Sequence, residues 1–137
     1  MSAAQPAVIA VVDDDRRLLQ SLGRLLEASD YSVCLFGSGR ALLEYASIAE
    51  FSCLVTDLSM PDMDGFELQE IVRPRAPGLP VIFITGRDEP KDAMLAKASQ
   101  CHAFFRKPFD AQAFLDSVAE AVRRRAIADG RLVRPEE

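Results

Sequence analysis

Apolar positions in this chain come in blocks, each followed by a stretch in which they recur every three or four residues. Residues 7–12 are a continuous apolar run. A run of strand length with no polar face suits a strand buried on both sides. It ends in Asp13-Asp14-Asp15, after which Leu18, Leu19, Leu22, Leu25 and Leu26 recur at helical spacing among Arg17, Gln20, Arg24 and Glu27. The same two-part pattern returns four more times. Residues 31–36 predict a second strand, broken by Gly37, with Ser38 placed to cap a helix reaching about Ala49. Residues 52–56 predict a third strand. The helix after it opens near Gly65 or Phe66 and stops before Pro74, whose ring is excluded from a helix interior. Residues 80–84 predict the fourth strand, with Asp88 as cap of the next helix and Pro90 in its first turn. Residues 102–106 predict the fifth. Asp110 then caps a last helix whose stripe is Phe114, Val118, Ala121 and Val122, and which ends at the solvated cluster Arg123-Arg124-Arg125.

Five strand–helix repeats with short connections imply an α/β fold: a parallel sheet covered on both faces, joined by right-handed crossovers. At 137 residues and 49% hydrophobic, the chain is long and apolar enough for one domain with a full core. The expected partition is an N-terminal extension over 1–6, the domain over 7–125, and a tail or the start of a linker over 126–137. A formal net charge of −5 repels phosphate backbones and argues against direct nucleic-acid binding. Residues 1–6 have neither the basic region nor the apolar centre of a secretory signal, and no apolar run is long enough to span a bilayer. Cys34, Cys53 and Cys101 are odd in number and form no CxxC pair, which points to reduced thiols in a cytoplasmic protein.

The strand ends carry the chemistry. In an open parallel sheet, ligands bind outside the carboxyl ends of the strands. Here the first strand ends in Asp13 and Asp14, the third in Asp57, the fourth in Thr85 and the fifth in Lys107. Three carboxylates brought together repel one another unless a proton or a cation intervenes. Oxygen ligands with no nearby His or Cys favour a hard ion, with Mg²⁺ the expected one. A carboxylate beside such an ion can attack a phosphoryl group, and a lysine ammonium and a hydroxyl supply further charge neutralisation. The other acids have plainer readings. Asp15 is a solvated or helix-capping residue, and Asp62 and Asp64 serve the turn before the third helix, with Gly65 lending conformational freedom. His102 has no catalytic partner in the sequence, and Phe105, Phe109 and Phe114 read as core.

Taken together, Val11-Val12-Asp13-Asp14-Asp15, the stretch Thr56-Asp57-Leu58-Ser59-Met60-Pro61-Asp62-Met63-Asp64-Gly65, Ile84-Thr85-Gly86 and Lys107-Pro108-Phe109 closely resemble a response-regulator receiver domain of two-component signalling. The wording is nearest the FixJ-like branch, and the likeness runs from about Ala7 to Arg125. The resemblance implies a flavodoxin-like (CheY-like) doubly wound sheet of five parallel strands, order 2-1-3-4-5, with five helices. It implies that Asp57 is the phosphoacceptor for a partner histidine kinase. Asp14 is then a direct Mg²⁺ ligand, Asp13 holds the metal mainly through water, and the Ser59 backbone carbonyl is a further ligand. Thr85 is the switch hydroxyl, Phe104 the switch aromatic, and Lys107 the phosphate-binding lysine, with a cis Lys107-Pro108 bond. Such a domain is a phosphoacceptor that assists its own phosphorylation and dephosphorylation rather than a turnover enzyme. Receivers also pair as homodimers on phosphorylation, and FixJ-like relatives carry a helix-turn-helix output domain after a linker.

The alternatives are a stand-alone receiver acting in a phosphorelay or as an interaction module, and an aspartyl-phosphate phosphatase. The phosphatase expects an Asp-x-Asp pair with the second acid as general acid, whereas Asp57 is followed two positions later by Ser59. One departure from the family concerns the end of the fourth helix. Gln100 and Cys101 stand where many relatives have Gly-Ala, and Gln takes the left-handed backbone less readily than Gly, so a different helix end is expected there. Ser59 and Arg87, each two residues past a key position, are expected to tune the lifetime of the phosphoryl group.

Overall fold

A computed structural model describes residues 7–132; the expected extension over 1–6 and residues 133–137 of the tail lie outside the described residues. The order is β1 (Val8–Val12), α1 (Arg16–Ala28), β2 (Ser32–Phe36), α2 (Gly39–Leu43), a 3-10 turn (Ile48–Glu50), β3 (Cys53–Asp57), α3 (Gly65–Arg75), β4 (Val81–Thr85), α4 (Pro90–Ala98), β5 (Ala103–Arg106) and α5 (Ala111–Ala128). The five strands form one parallel sheet in the order β2-β1-β3-β4-β5. This is the CheY-like fold with the strand order implied by the motifs.

The apolar runs are continuous because the central strands feed two cores at once. Ile9, Val11, Cys53, Val55, Ile82 and Ile84 point to one face, where Leu22 and Leu26 of α1 and Phe114, Val118 and Ala121 of α5 cover them. Ala10, Val12, Leu54 and Phe83 point to the other, against Leu42 of α2, Leu68 and Val72 of α3 and Ala96 of α4. Alternate residues of a strand face opposite sides of the sheet, so burying both faces removes every polar position from β1, β3 and β4 until their tips.

Several helix ends differ from the sequence expectation. Ser38 does cap α2, accepting the Ala41 N–H at 3.1 Å, but that helix stops at Leu43 rather than near Ala49. The early turn lets Tyr45 stack on Phe51 with ring centroids 5.2 Å apart. Helix α3 runs through Pro74 to Arg75. Pro74 sits in the last turn, exposed like Glu70, whose carbonyl it cannot bond. Asp88 does not cap α4. Glu89 is the N-cap and makes no side-chain bond, Pro90 takes the first helical position, and Asp88 pairs with Arg106 instead. After α4, Gln100 adopts the left-handed backbone at φ 61°. The helix thus ends as it would with glycine, and the expected difference in its end is absent. Changing Gln100 to Gly should relieve that backbone and stabilise the fold by about 0.5–1 kcal/mol in urea denaturation, net of glycine's entropy cost.

The largest correction concerns Arg125. The helix does not end at the arginine cluster but continues to Ala128, and Arg125 is 6% exposed rather than solvated. Its guanidinium donates to the Pro77 carbonyl and to the Ala49 carbonyl, each at 2.8 Å, and lies 3.5 Å from the Asp129 carboxylate. One side chain therefore ties the last turns of α5 to two loops at the amino-terminal edge of the sheet. Arg125→Met leaves two carbonyls without donors and should cost about 2–4 kcal/mol in urea denaturation. Arg123→Met, on the exposed side of the same helix, should change stability by less than about 0.5 kcal/mol.

Candidate functional site

The sheet order brings the acidic strand ends together. β1 and β3 are neighbours in register, Val12 opposite Thr56, so the next residues, Asp13 and Asp57, end side by side. Asp13 is fully buried, Asp57 is 6% exposed and Asp14 is exposed, yet ligand oxygens of all three lie within 4.8 Å of one another. β4 lies beside β3 and β5 beside β4. The Lys107 N–H bonds the Thr85 carbonyl at 2.8 Å, which carries the lysine over the same edge. Its Nζ lies 3.6 Å from Asp13 Oδ2 and 3.9 Å from Asp57 Oδ2, and the Lys107-Pro108 peptide is cis.

The two oxygens of Asp57 meet different surroundings. Oδ1 accepts the Ser59 N–H at 3.2 Å, while Oδ2 is the one nearest Lys107. Ser59 thus meets the acid through its amide. Thr85 is fully buried, and its hydroxyl oxygen accepts the Arg87 N–H at 3.1 Å. Phe104 is half-buried against the core on the α3 and α4 side, with the Arg106 guanidinium carbon 5.8 Å from its ring centroid. Asp15 stands outside the cluster and caps α1 through the Arg17 and Leu18 N–H groups. Asp64 caps α3 in a reciprocal box with Glu67. His102 lies at the other end of β5, its backbone N–H bonded to the Val81 carbonyl.

Gly65 has a role other than the expected one. Its φ is not in the left-handed region; Asp62, three positions earlier, takes that conformation at φ 69°. What Gly65 permits is close approach. A Cβ there would lie 2.6 Å from the Asp57 carbonyl oxygen, inside contact distance, and the Gly65 N–H bonds the Leu58 carbonyl at 3.0 Å. The first residue of α3 is packed against the backbone of the acid, so no side chain fits.

Charge at this edge is out of balance. Burial pushes the Asp13 carboxyl up to about 6, against the pull of the Asp15 N–H, and the nearby Asp57 adds to the rise. Burial also raises Asp57, partly offset by the Ser59 N–H and Lys107. Asp13 Oδ2 is buried without a hydrogen-bond partner. An orphaned buried carboxylate oxygen in an all-oxygen cluster of three acids fits a hard divalent cation.

A family comparison decides the identity. The model of the response regulator receiver domain matches residues 9–119. The chain belongs to the response regulator receiver family. It is 33% identical over 124 residues to the transcriptional regulatory protein GlrR of Escherichia coli, covering 90% of this chain and 28% of that protein. It is 30% identical over 116 residues to the transcriptional regulatory protein FixJ of Bradyrhizobium diazoefficiens, covering 85% of this chain and 57% of that protein. The chain thus spans roughly a quarter to just over half the length of these relatives. A receiver domain from Clostridium thermocellum superposes with a TM-score of 0.82 at 26% identity, covering 89% of this chain and 98% of that one. As a receiver domain, the chain is a signalling module of two-component systems. Among the described residues no helix is long and apolar enough to cross a membrane.

The sequence reading of this receiver missed Asp92. It lies in the first turn of α4, fully buried, with both oxygens held by the Arg87 guanidinium at 2.7 and 2.9 Å. The loop between the two residues hides the pairing, since their spacing of five follows neither helix nor strand periodicity.

The direction of the Asp13 shift fixes a pH dependence. Its folded value of about 6 lies above the ordinary 3.8, so between those values the folded state holds more proton than the unfolded state. Stability in metal-free buffer should therefore fall as pH rises through that window. Asp13→Asn should remove most of the fall and be more stable than wild type at pH 7 by on the order of 2–3 kcal/mol. Urea denaturation at pH 4 and pH 7, with chelator present, measures both. Adding Mg²⁺ should stabilise the wild type at pH 7 and do little for the variant.

Proposed function

We propose that this receiver takes a phosphoryl group from the phosphohistidine of a sensor kinase onto Asp57, and that Thr85 and Phe104 pass the change to a signalling face. The observation that carries the reading is the convergence of Asp57 with Asp13, Asp14 and Lys107 at one sheet edge. In the transfer, an Asp57 oxygen forms a bond to phosphorus as the P–N bond to the kinase histidine breaks. The imidazole leaves with the bonding pair and takes up a proton. Asp13, Asp14, Asp57 and the Ser59 backbone carbonyl would hold Mg²⁺. When bound, Mg²⁺ offsets the charge of the acids and of the transferring phosphoryl oxygens.

Lys107 adds the remaining positive charge, and its short tether to the Thr85 carbonyl keeps it over the acids. The Thr85 hydroxyl lies within the same edge and would donate to a phosphoryl oxygen. Phe104, half-buried on the neighbouring strand, would repack as Thr85 moves. The domain would then hydrolyse its own aspartyl phosphate, with Ser59 and Arg87 setting the rate. Its place is the cytoplasm. By analogy with the relatives named as transcriptional regulators, the message would reach an output domain, with pairing of receivers as one route.

Incubation with acetyl phosphate and Mg²⁺ should add one phosphoryl group by intact mass. Asp57→Asn or a chelator should abolish the adduct, and Lys107→Met should slow its formation at least about tenfold. An adduct that survives in Asp57→Asn would overturn the assignment of the acceptor. Decay of the labelled protein should change in Ser59→Ala; unaltered decay would remove Ser59 from the tuning role.

A further inference from the structure

An ion pair with a fully buried carboxylate joins the loop between β4 and α4 to the first turn of α4, and the phosphoacceptor chemistry does not require it. Asp92 has no exposed side-chain surface, and Arg87 takes both its oxygens in a fork at 2.7 and 2.9 Å. A bidentate guanidinium–carboxylate pair fixes orientation as well as distance. Arg87 is also joined to the switch residue, because its backbone N–H donates to the Thr85 hydroxyl at 3.1 Å. A continuous chain of bonds thus runs from Thr85 through Arg87 to the first turn of α4. The same loop is held from β5, where Arg106 pairs with Asp88 and donates to the Glu89 carbonyl at 3.0 Å.

We propose that Arg87 and Asp92 are positioning residues that latch Thr85 and the first turn of α4 in the unphosphorylated arrangement. The proposal rests on the phosphoacceptor reading of Asp57. The Thr85 hydroxyl is engaged with the Arg87 amide, and the residues on its far side are anchored in α4. Turning Thr85 toward a phosphoryl group on Asp57 draws on a loop whose other end is clamped by an ion pair with a fully buried carboxylate. A carboxylate buried as deeply as Asp92 does not release its cationic partner easily. Phosphoryl binding and the latch therefore oppose each other, and by linkage phosphoryl binding weakens the latch by the same factor by which the latch weakens phosphoryl binding.

Beryllofluoride with Mg²⁺ serves as the phosphoryl probe, its binding to the whole chain followed by fluorine NMR and the fold of each variant checked by circular dichroism. Asp92→Asn, which keeps the shape and weakens the fork, should tighten binding on the order of fivefold. Arg87→Lys, which keeps the charge and loses the fork, should tighten it in the same direction and serves alone if Asp92→Asn does not fold. The double variant Asp92→Asn with Arg87→Gln separates the latch from direct capture of the probe by a freed guanidinium. Tightening retained in the double variant supports the latch, and tightening lost there overturns it. Unchanged or weaker binding in folded Asp92→Asn and Arg87→Lys also overturns it. A wild-type chain that binds no probe would overturn the phosphoacceptor reading itself, and the latch with it.

Discussion

The carboxyl edge of the sheet is short of positive charge, and much of the surrounding structure follows from that shortage. Asp13 and Asp57 are buried side by side with Asp14 close by, and one ammonium serves the pair at 3.6 and 3.9 Å. Those distances allow attraction but not hydrogen bonds, so burial wins and both buried acids hold their protons more tightly than free ones. A packed domain tolerates such a cluster only if the backbone beneath it is rigid. Here the rigidity comes from strands with apolar cores on both faces and from α3, whose first residue sits against the Asp57 backbone with no room for a side chain. The site is electrostatically unfinished on a scaffold that is sterically complete, which is the arrangement expected where a cation and a phosphoryl group supply the missing interactions.

The parts of this arrangement legible in the sequence are those set by short-range rules. Strand ends were readable within about a residue because Asp13, Asp57, Thr85 and Lys107 interrupt four apolar runs and Gly37 breaks the fifth. The caps at Ser38, Asp15 and Asp110 follow from side-chain oxygens placed before helical stripes, whereas Asp64, read as a turn residue, caps α3. The strand order came from the motifs, since periodicity says that strands are parallel neighbours without saying which are adjacent.

What was not legible depends on contacts distant in sequence or on backbone packing. Arg125 looks like a solvated helix end because its neighbours Arg123 and Arg124 are exposed; its burial is decided by carbonyls 48 and 76 residues away. Gly65 sits where glycine usually supplies a turn, but its requirement is steric and comes from the Asp57 carbonyl. Gln100 shows the converse: local propensity disfavours the left-handed backbone it nevertheless takes between α4 and β5. Asp92 was hidden because its partner Arg87 stands five positions away across the loop into α4, a spacing that marks neither helix nor strand contact.

These anchors are distributed unevenly, and the unevenness indicates which element can move. Helix α5 is held by Phe114, Val118 and Ala121 in the core and by Arg125 at its far end. Helix α4 buries only Asp92 and Ala96, and it leaves Met94 75% and Leu95 44% exposed. An element with little buried apolar surface opens at low free energy, whereas one anchored along its length moves only with the whole fold. Helix α4 is therefore the loosely packed element joined to Thr85 through Arg87 and Asp92, whereas α5 is held along its length. The ion pair adds to the thin core under α4: it supplies by charge and geometry attachment that apolar burial does not, and unlike a packed core it attaches the helix through the loop that follows Thr85.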